Sequence, residues 1–126
     1  MLLSAAIIVR DEADFLRQCL TSIRPVCDEI VVVDTGSVDD TVAVAESFGA
    51  VVAHRPWDDD FAAARNRALD LATGEWILYI DADEQLEDLD PERARAELRA
   101  ATDAVSLLVR FRSRPIFSPY REYRLW

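Results

Sequence analysis

The stretch that decides the fold is Glu75-Trp76-Ile77-Leu78-Tyr79-Ile80-Asp81-Ala82-Asp83-Glu84. It follows the turn residue Gly74 and opens on large apolar side chains, among them the β-formers Trp76, Ile77, Tyr79 and Ile80. It reads as a buried strand that breaks into acid at Asp81, Asp83 and Glu84. Side chains alternate faces along an extended chain, so persisting strand geometry would aim Asp81 and Asp83 the same way. Two carboxylates on one side of a strand end repel each other, and a hard divalent cation with oxygen ligands is the usual remedy. A solvated acidic turn, or a set of helix-capping acids, is the plain alternative.

Outward from that strand, the rest of the chain alternates in period. Leu2 to Val9 is an apolar run rich in Ile and Val, a first buried strand ended by Arg10-Asp11-Glu12. From Asp14 the spacing turns helical, with Phe15, Leu16, Cys19, Leu20 and Ile23 on one face and Pro25 as the stop. Ile30 to Val33 form a second strand, continuous enough in apolar residues to be covered on both faces. It ends in Asp34-Thr35-Gly36-Ser37, where Ser37 is placed to cap a second helix carrying Val42, Ala45 and Phe48. Gly49 closes that helix and Ala50 to Ala53 make a short third strand. After the loop His54 to Asp60, a third helix puts Phe61, Ala64, Ala68, Leu71 and Ala72 on one face. Beyond the central strand, Asp90 and Pro91 open a fourth helix with Ala94, Leu98 and Ala101 inward. Val105 to Phe111 and Arg121 to Trp126 read as further strands.

Strand-helix alternation implies an α/β fold with a parallel sheet and right-handed crossovers. Ligands of such sheets bind beyond the carboxyl ends of the strands. Three polar clusters fall there: Arg10-Asp11-Glu12, Asp34-Thr35-Gly36-Ser37 and Asp81-Ala82-Asp83-Glu84. The sequence has 126 residues, 51% of them apolar, enough for one domain with a real core. Its net charge of −10 argues against nucleic acid as a partner, because no basic stripe could neutralise phosphates. The same charge means that a bound pyrophosphate would need local arginines or a metal. Cys19 and Cys27 lack metal-ligand spacing and read as buried thiols in a reducing compartment. No signal peptide or membrane span is visible, so the expected location is cytoplasmic, with a peripheral membrane seat left open.

In this order and spacing, the motifs Asp11-Glu12, Val32-Val33-Asp34-Thr35-Gly36-Ser37, Ala64-Arg65-Asn66, Gly74-Glu75-Trp76 and Asp81-Ala82-Asp83-Glu84 resemble the family-2 glycosyltransferases. The resemblance covers roughly residues 1–86. Around Trp57 to Asn66 it is closest to the branch that glycosylates lipopolysaccharide cores or peptides. It implies the GT-A fold, a three-layer α/β/α sandwich with a mostly parallel Rossmann-like sheet. It further implies that Asp34 hydrogen-bonds the donor nucleobase and that Val9 and Glu12 line the nucleotide pocket. Arg65, of the pair Arg65-Asn66, would face the donor. Asp81 and Asp83 match the Asp-x-Asp motif, in which the first acid contacts the ribose or a metal-bound water and the second binds the metal, Mn²⁺ or Mg²⁺. The implied donor is a nucleotide-diphospho-sugar, a UDP-sugar first, and the acceptor a glycan, lipid or peptide, with inversion.

In that family the general base and most of the acceptor site lie well beyond the Asp-x-Asp motif, and none of the residues after Asp83 is marked as the base. We therefore expect a single domain over 1–126, truncated at its C-terminus, with a donor-binding core at 1–86 and the start of an acceptor side at 87–126. A missing half would leave apolar surface that favours homo-oligomers. Two alternatives accompany this reading. One is a non-catalytic nucleotide-sugar-binding or oligomerising fragment. The other is a nucleotidyltransferase, which would want a glycine-rich loop after the first strand, where Val9-Arg10-Asp11-Glu12 has no glycine. Plainer roles are expected elsewhere. His54 is a surface or capping histidine, and Asp58, Asp59 and Asp60 form a solvated loop and helix cap. Trp57 is a core-edge aromatic or a stacking platform. Arg93, Arg95 and Arg99 belong to an exposed helix, and Arg110, Arg112 and Arg114 to a solvated strand face.

Overall fold

Apolar runs and helical stripes resolve into eleven elements in the computed structural model, which describes residues 1–86, 90–100, 107–113 and 120–125, the last two stretches as backbone. In order they are β1 (Leu3–Val9), α1 (Ala13–Ile23), β2 (Glu29–Asp34), α2 (Thr41–Ser47), β3 (Val51–His54) and α3 (Phe61–Leu71). There follow β4 (Trp76–Tyr79), β5 (Glu84–Leu86), α4 (Pro91–Ala100), β6 (Leu107–Ser113) and β7 (Tyr120–Leu125). The strands form one seven-stranded sheet in the order β3-β2-β1-β4-β7-β6-β5. β1 pairs in parallel with β2 and with β4, and β2 in parallel with β3. β7, β6 and β5 extend the sheet as antiparallel neighbours. The expected late strands are thus present, while the three-residue β5 follows directly on the acidic end of β4, where no apolar run or alternation predicts a strand. Ala101, Val105, Arg114 and Trp126 lie outside the described residues.

Crossover handedness explains which face each helix takes. β1-α1-β2 and β2-α2-β3 step in one direction along the sheet, so right-handed turns put α1 and α2 on the same face. The step from β3 to β4 runs back past β2 and β1, so α3 must lie on the opposite face. The burial pattern agrees. Leu16, Cys19, Leu20 and Ile23 of α1 and Val44 and Ala45 of α2 share one core with Leu3, Ala5, Ile7, Val32, Trp76 and Leu78. Ala64 and Ala68 of α3 pack on Ala6, Val31, Val33 and Tyr79. Each fully buried Leu or Ile contributes on the order of 1.5–3 kcal/mol. Helix α4 joins the first face through Leu98, and its carbonyl accepts the Trp76 indole N–H at 3.1 Å.

Three local expectations are corrected. Ser37 does not cap α2. That helix starts four residues later, where the Asp39 carboxylate accepts the Thr41 N–H at 2.9 Å. Phe61 does not face the core. It is the first residue of α3 and is 46% exposed, because the helix axis brings Ala64 rather than Phe61 onto the sheet. Arg95 is not a solvated helix residue, since its guanidinium donates to the Val26 carbonyl at 2.9 Å and pairs with Asp28 at 3.0 Å. Asp90 does cap α4, accepting from Glu92 and Arg93. The Asp60 carboxylate likewise accepts the Ala63 N–H at the start of α3.

The amino edge of the sheet carries two carboxylate anchors. Asp28 accepts the N–H groups of Leu2 and Leu3 at 2.9 and 3.0 Å. Glu29 accepts from the Ser4 hydroxyl and the Thr73 N–H, both at 2.8 Å. Desolvation pushes both carboxyls up, but it is outweighed. Arg95 with the Leu2 and Leu3 amides holds Asp28 below its ordinary 3.8, and Thr73 and Ser4 hold Glu29 below 4.5. A depressed native value means stability that is complete above the unfolded value and lost as pH falls through the native one. Thermal midpoints should therefore hold near neutrality and fall below about pH 4.5. Asp28→Asn should flatten that acid limb; an unchanged limb would contradict the assignment.

Candidate functional site

The parallel strands β1 to β4 all end at one rim, so the loops after them are neighbours. β1, β2 and β3 run to one side and β4 returns to the other, which makes the β1/β4 boundary the point where strand order reverses. Asp34 is the last residue of β2, in register with Val9 of β1 and His54 of β3. It is 4% exposed. Its carboxylate accepts the N–H groups of Gly36 at 3.2 Å and Ser37 at 3.1 Å, and the Ser37 hydroxyl. Gly36 has φ +125, which the turn demands and other residues resist. The Asp34 carboxylate therefore shapes its own loop. With about four acceptor sites per carboxylate, it retains capacity for a further donor. His54 Nδ1 stands 3.8 Å from Asp34 Oδ2 with its ring 65% exposed, a surface histidine beside a nearly buried acid.

Beside Asp34 lies a cleft of about 260 Å³ walled by Ile8, Val9, Arg10, Glu12, Thr35, Trp57 and Phe61. Val9 is buried and Glu12 half-buried. The Trp57 N–H donates to the Thr35 carbonyl at 3.2 Å, and its indole N–H to Asp59 at 3.0 Å, which fixes an exposed ring at the mouth. Trp57 and Phe61 meet edge to face at 6.5 Å. Arg65, one turn along α3, lies over the Phe61 ring at 5.3 Å and the Tyr79 ring at 4.2 Å. Such contacts hold a guanidinium without neutralising it. Arg65 thus bridges the cleft wall to the end of β4, while Asn66 is exposed. Phe61 was missed as a site residue because its helical spacing matched the core stripe. Its position as first residue after the Asp60 cap was the available signal.

The acids after β4 are not arranged as continued strand. β4 stops at Tyr79 and residues 82–83 form a turn, so face alternation does not set the directions of Asp81 and Asp83. Asp81 is exposed, Asp83 half-buried, and Glu84 is 1% exposed. The Glu84 carboxylate accepts the Asp81 N–H at 2.9 Å, and the Glu84 N–H donates to the Asp81 carbonyl at 3.0 Å. Glu84 is therefore the internal brace of the turn rather than a rim acid. The Cys19 thiol reaches the same carbonyl from α1 at 3.6 Å. Burial first, then the charges of Glu84, Asp81 and Asp83 with Cys27 beside it, push that thiol far up. Burial with Asp28 pushes Cys27 up to about 12, against the pull of Arg95. Both are free thiols, and their burial disfavours the thiolate form that makes a cysteine reactive.

No group of three His, Cys, Asp or Glu side chains among the described residues could hold a metal unaided. Asp81 and Asp83 supply carboxylate oxygens, the chemistry a hard cation of the Mg²⁺ type takes, and such a cation is commonly held by one or two carboxylates with the remaining oxygens from phosphates and water.

Comparison with known proteins agrees with this architecture. The profile of Glycosyl transferase family 2 matches residues 4–126. A TPR repeat-containing protein of Synechococcus elongatus is 44% identical over 95% of this chain and 34% of its own length. An uncharacterized glycosyltransferase of Rickettsia felis is 43% identical over 67% of this chain and 29% of its own. Among solved structures, S. aureus TarS superposes with TM-score 0.68 at 24% identity, over 79% of this chain and 20% of that one. Glucosyl-3-phosphoglycerate synthase of Mycobacterium tuberculosis, solved with Mn²⁺, UDP-glucose and phosphoglyceric acid, gives 0.57 at 28% identity, covering 66% and 34%. The mannosyltransferase PcManGT of Pyrobaculum calidifontis, with GDP-Man and Mn²⁺, gives 0.66 at 25%, covering 82% and 33%. The fold is thus that of the GT-A glycosyltransferases, and the chain belongs to glycosyltransferase family 2. It spans about a third of the length of the curated relatives it matches. No helix among the described residues is long and apolar enough to cross a membrane.

Proposed function

We propose that this chain binds a nucleoside-diphosphate sugar along the carboxyl rim of its sheet. In the complete enzyme the sugar then passes, with inversion, to a hydroxyl of a glycan, lipid or peptide. The observation that carries this reading is the rim itself: Val9, Glu12 and Asp34 at one end, Arg65 between, and Asp81 and Asp83 at the other, beside a cleft walled by apolar and aromatic side chains. At about 260 Å³ the cleft suits a nucleoside and not a whole nucleotide-sugar. The base and ribose sit between Val9, Thr35 and Trp57, with Asp34 accepting from the base and Glu12 lining the ribose side. The diphosphate then runs toward the end of β4.

Departure of the nucleoside diphosphate builds negative charge on its oxygens. Arg65 meets that charge with directional, charge-assisted hydrogen bonds. Asp81 and Asp83 would hold Mn²⁺ or Mg²⁺, which supplies Lewis-acid stabilisation of the same oxygens when bound. The support for that metal and for a UDP- or GDP-sugar is the content of the two neighbours solved with Mn²⁺ and such donors. Activation of the acceptor hydroxyl needs a general base, and we assign none of the described residues to it. Free thiols fit a reducing, cytoplasmic setting.

Saturation-transfer NMR with UDP-glucose and GDP-mannose in the presence of diamagnetic Mg²⁺ tests the orientation. The strongest transfer is expected at base and ribose protons of one donor, and Asp34→Ala should weaken its binding about tenfold or more. Absence of transfer from both donors would contradict the reading.

A further inference from the structure

Asp11 has backbone φ +51, a left-handed conformation that a non-glycine residue adopts only when its surroundings enforce it. Here they do. The Asp11 N–H donates to the Ser37 hydroxyl at 2.9 Å. Its carboxylate accepts the N–H of Val38 at 2.7 Å and of Asp39 at 3.3 Å. Two more bonds run alongside: Glu12 N–H to the Thr41 hydroxyl at 3.0 Å, and Ala13 N–H to the Asp39 carboxylate at 3.3 Å. Ser37 is at the same time the residue whose hydroxyl donates to Asp34. The loop after β1 and the loop after β2 are therefore tied at every residue from Asp11 to Ala13.

We infer that Asp11 is a positioning residue which locks these two loops into one unit and so fixes Glu12 and Asp34 relative to each other before any ligand arrives. The geometry separates two contributions. The backbone must enter the left-handed region so that the Asp11 N–H can reach Ser37. The carboxylate must reach across to Val38. Asparagine tolerates that φ and keeps an oxygen acceptor. Glycine tolerates the φ but has no acceptor, and alanine has neither advantage. The ordering expected from a lock is thus wild type and Asp11→Asn together, Asp11→Gly below them, and Asp11→Ala at or below Asp11→Gly. Backbone strain alone would instead group Asp11→Gly with the wild type. The consequence for donor binding rests on the function proposed above, whereas the lock itself does not.

Amide hydrogen exchange, read at Val38 and Asp39 without ligand, tests the lock. Exchange at both amides should quicken about tenfold in Asp11→Gly, at least as much in Asp11→Ala, and stay within about twofold of wild type in Asp11→Asn. Amides of β1 and β2 should be unaffected, which distinguishes local release from unfolding. Unchanged exchange in Asp11→Gly would overturn the inference. The same variants titrated with UDP and GDP in Mn²⁺ should lose affinity in the same order. If the unaltered chain binds neither nucleotide while exchange follows the predicted order, the functional reading fails and the lock stands.

Discussion

Gly74→Ala is expected to destabilise the chain by about 3 kcal/mol and to lower the thermal midpoint by on the order of 10 °C. A methyl group on Gly74 would lie 2.7 Å from both the backbone nitrogen and the hydroxyl oxygen of Ser4, and 3.0 Å from the Trp76 carbonyl. Neither backbone atom can withdraw, because Ser4 is in the middle of the β1/β4 pairing and Trp76 begins β4. The Ser4 hydroxyl cannot swing away cheaply either. It accepts the Gly74 N–H at 2.8 Å and donates to Glu29 at 2.8 Å, and Ser4 is fully buried. The clash therefore breaks a polar network as well as displacing a strand. Gly49 is the control. It has φ +74 with nothing within 4 Å of a built Cβ, so Gly49→Ala carries only conformational strain of about 1–2 kcal/mol. Differential scanning calorimetry should rank Gly74→Ala well below Gly49→Ala; equal midpoints would contradict the packing argument.

Asp83→Ala is expected to remove the Mn²⁺-dependent part of nucleotide affinity, a loss of about 100-fold, while the thermal midpoint moves by only a few degrees. The turn it occupies is organised from within by Glu84, whose carboxylate and N–H both engage Asp81. β5 is tied to α1 by Leu86 N–H to Ser22 at 3.1 Å and by Gln85 to Gln18 at 2.9 Å. The backbone can thus keep its path when the half-buried Asp83 side chain is shortened. Nucleotide affinity without metal should be the same in wild type and variant. Equal loss with and without Mn²⁺ would mean that Asp83 acts on the fold or directly on the ligand.

The strands and helices were legible because their apolar residues repeat with clean periods. Leu16, Cys19, Leu20 and Ile23 could face only one way, and the run Ile30 to Val33 could only be buried on both faces. The convergence of Glu12, Asp34 and Asp81 on one rim followed from the parallel order alone. What escaped was set by tertiary contacts that leave no periodic trace. Ser37 has the composition of a cap, yet its hydroxyl is taken up by accepting the Asp11 N–H and donating to the Asp34 carboxylate, and α2 begins later. Glu84 looks like a third rim acid in the string Asp81-Ala82-Asp83-Glu84, yet a turn in place of extended chain folds it inside. Phe61 fits the helical stripe, but a first-turn residue can hang over the preceding loop. Arg95 joined Asp28 across 67 residues, a pairing that no local pattern announces.

The central claim is that the carboxyl rim is a metal-assisted nucleotide site. Calorimetric titration of the unaltered chain with UDP and then GDP, each with and without Mn²⁺, tests it most directly. The account predicts saturable one-to-one binding of one of the two nucleotides that strengthens at least tenfold when Mn²⁺ is present. Absence of heat for both nucleotides with Mn²⁺, at protein concentrations where a millimolar complex would register, would contradict it.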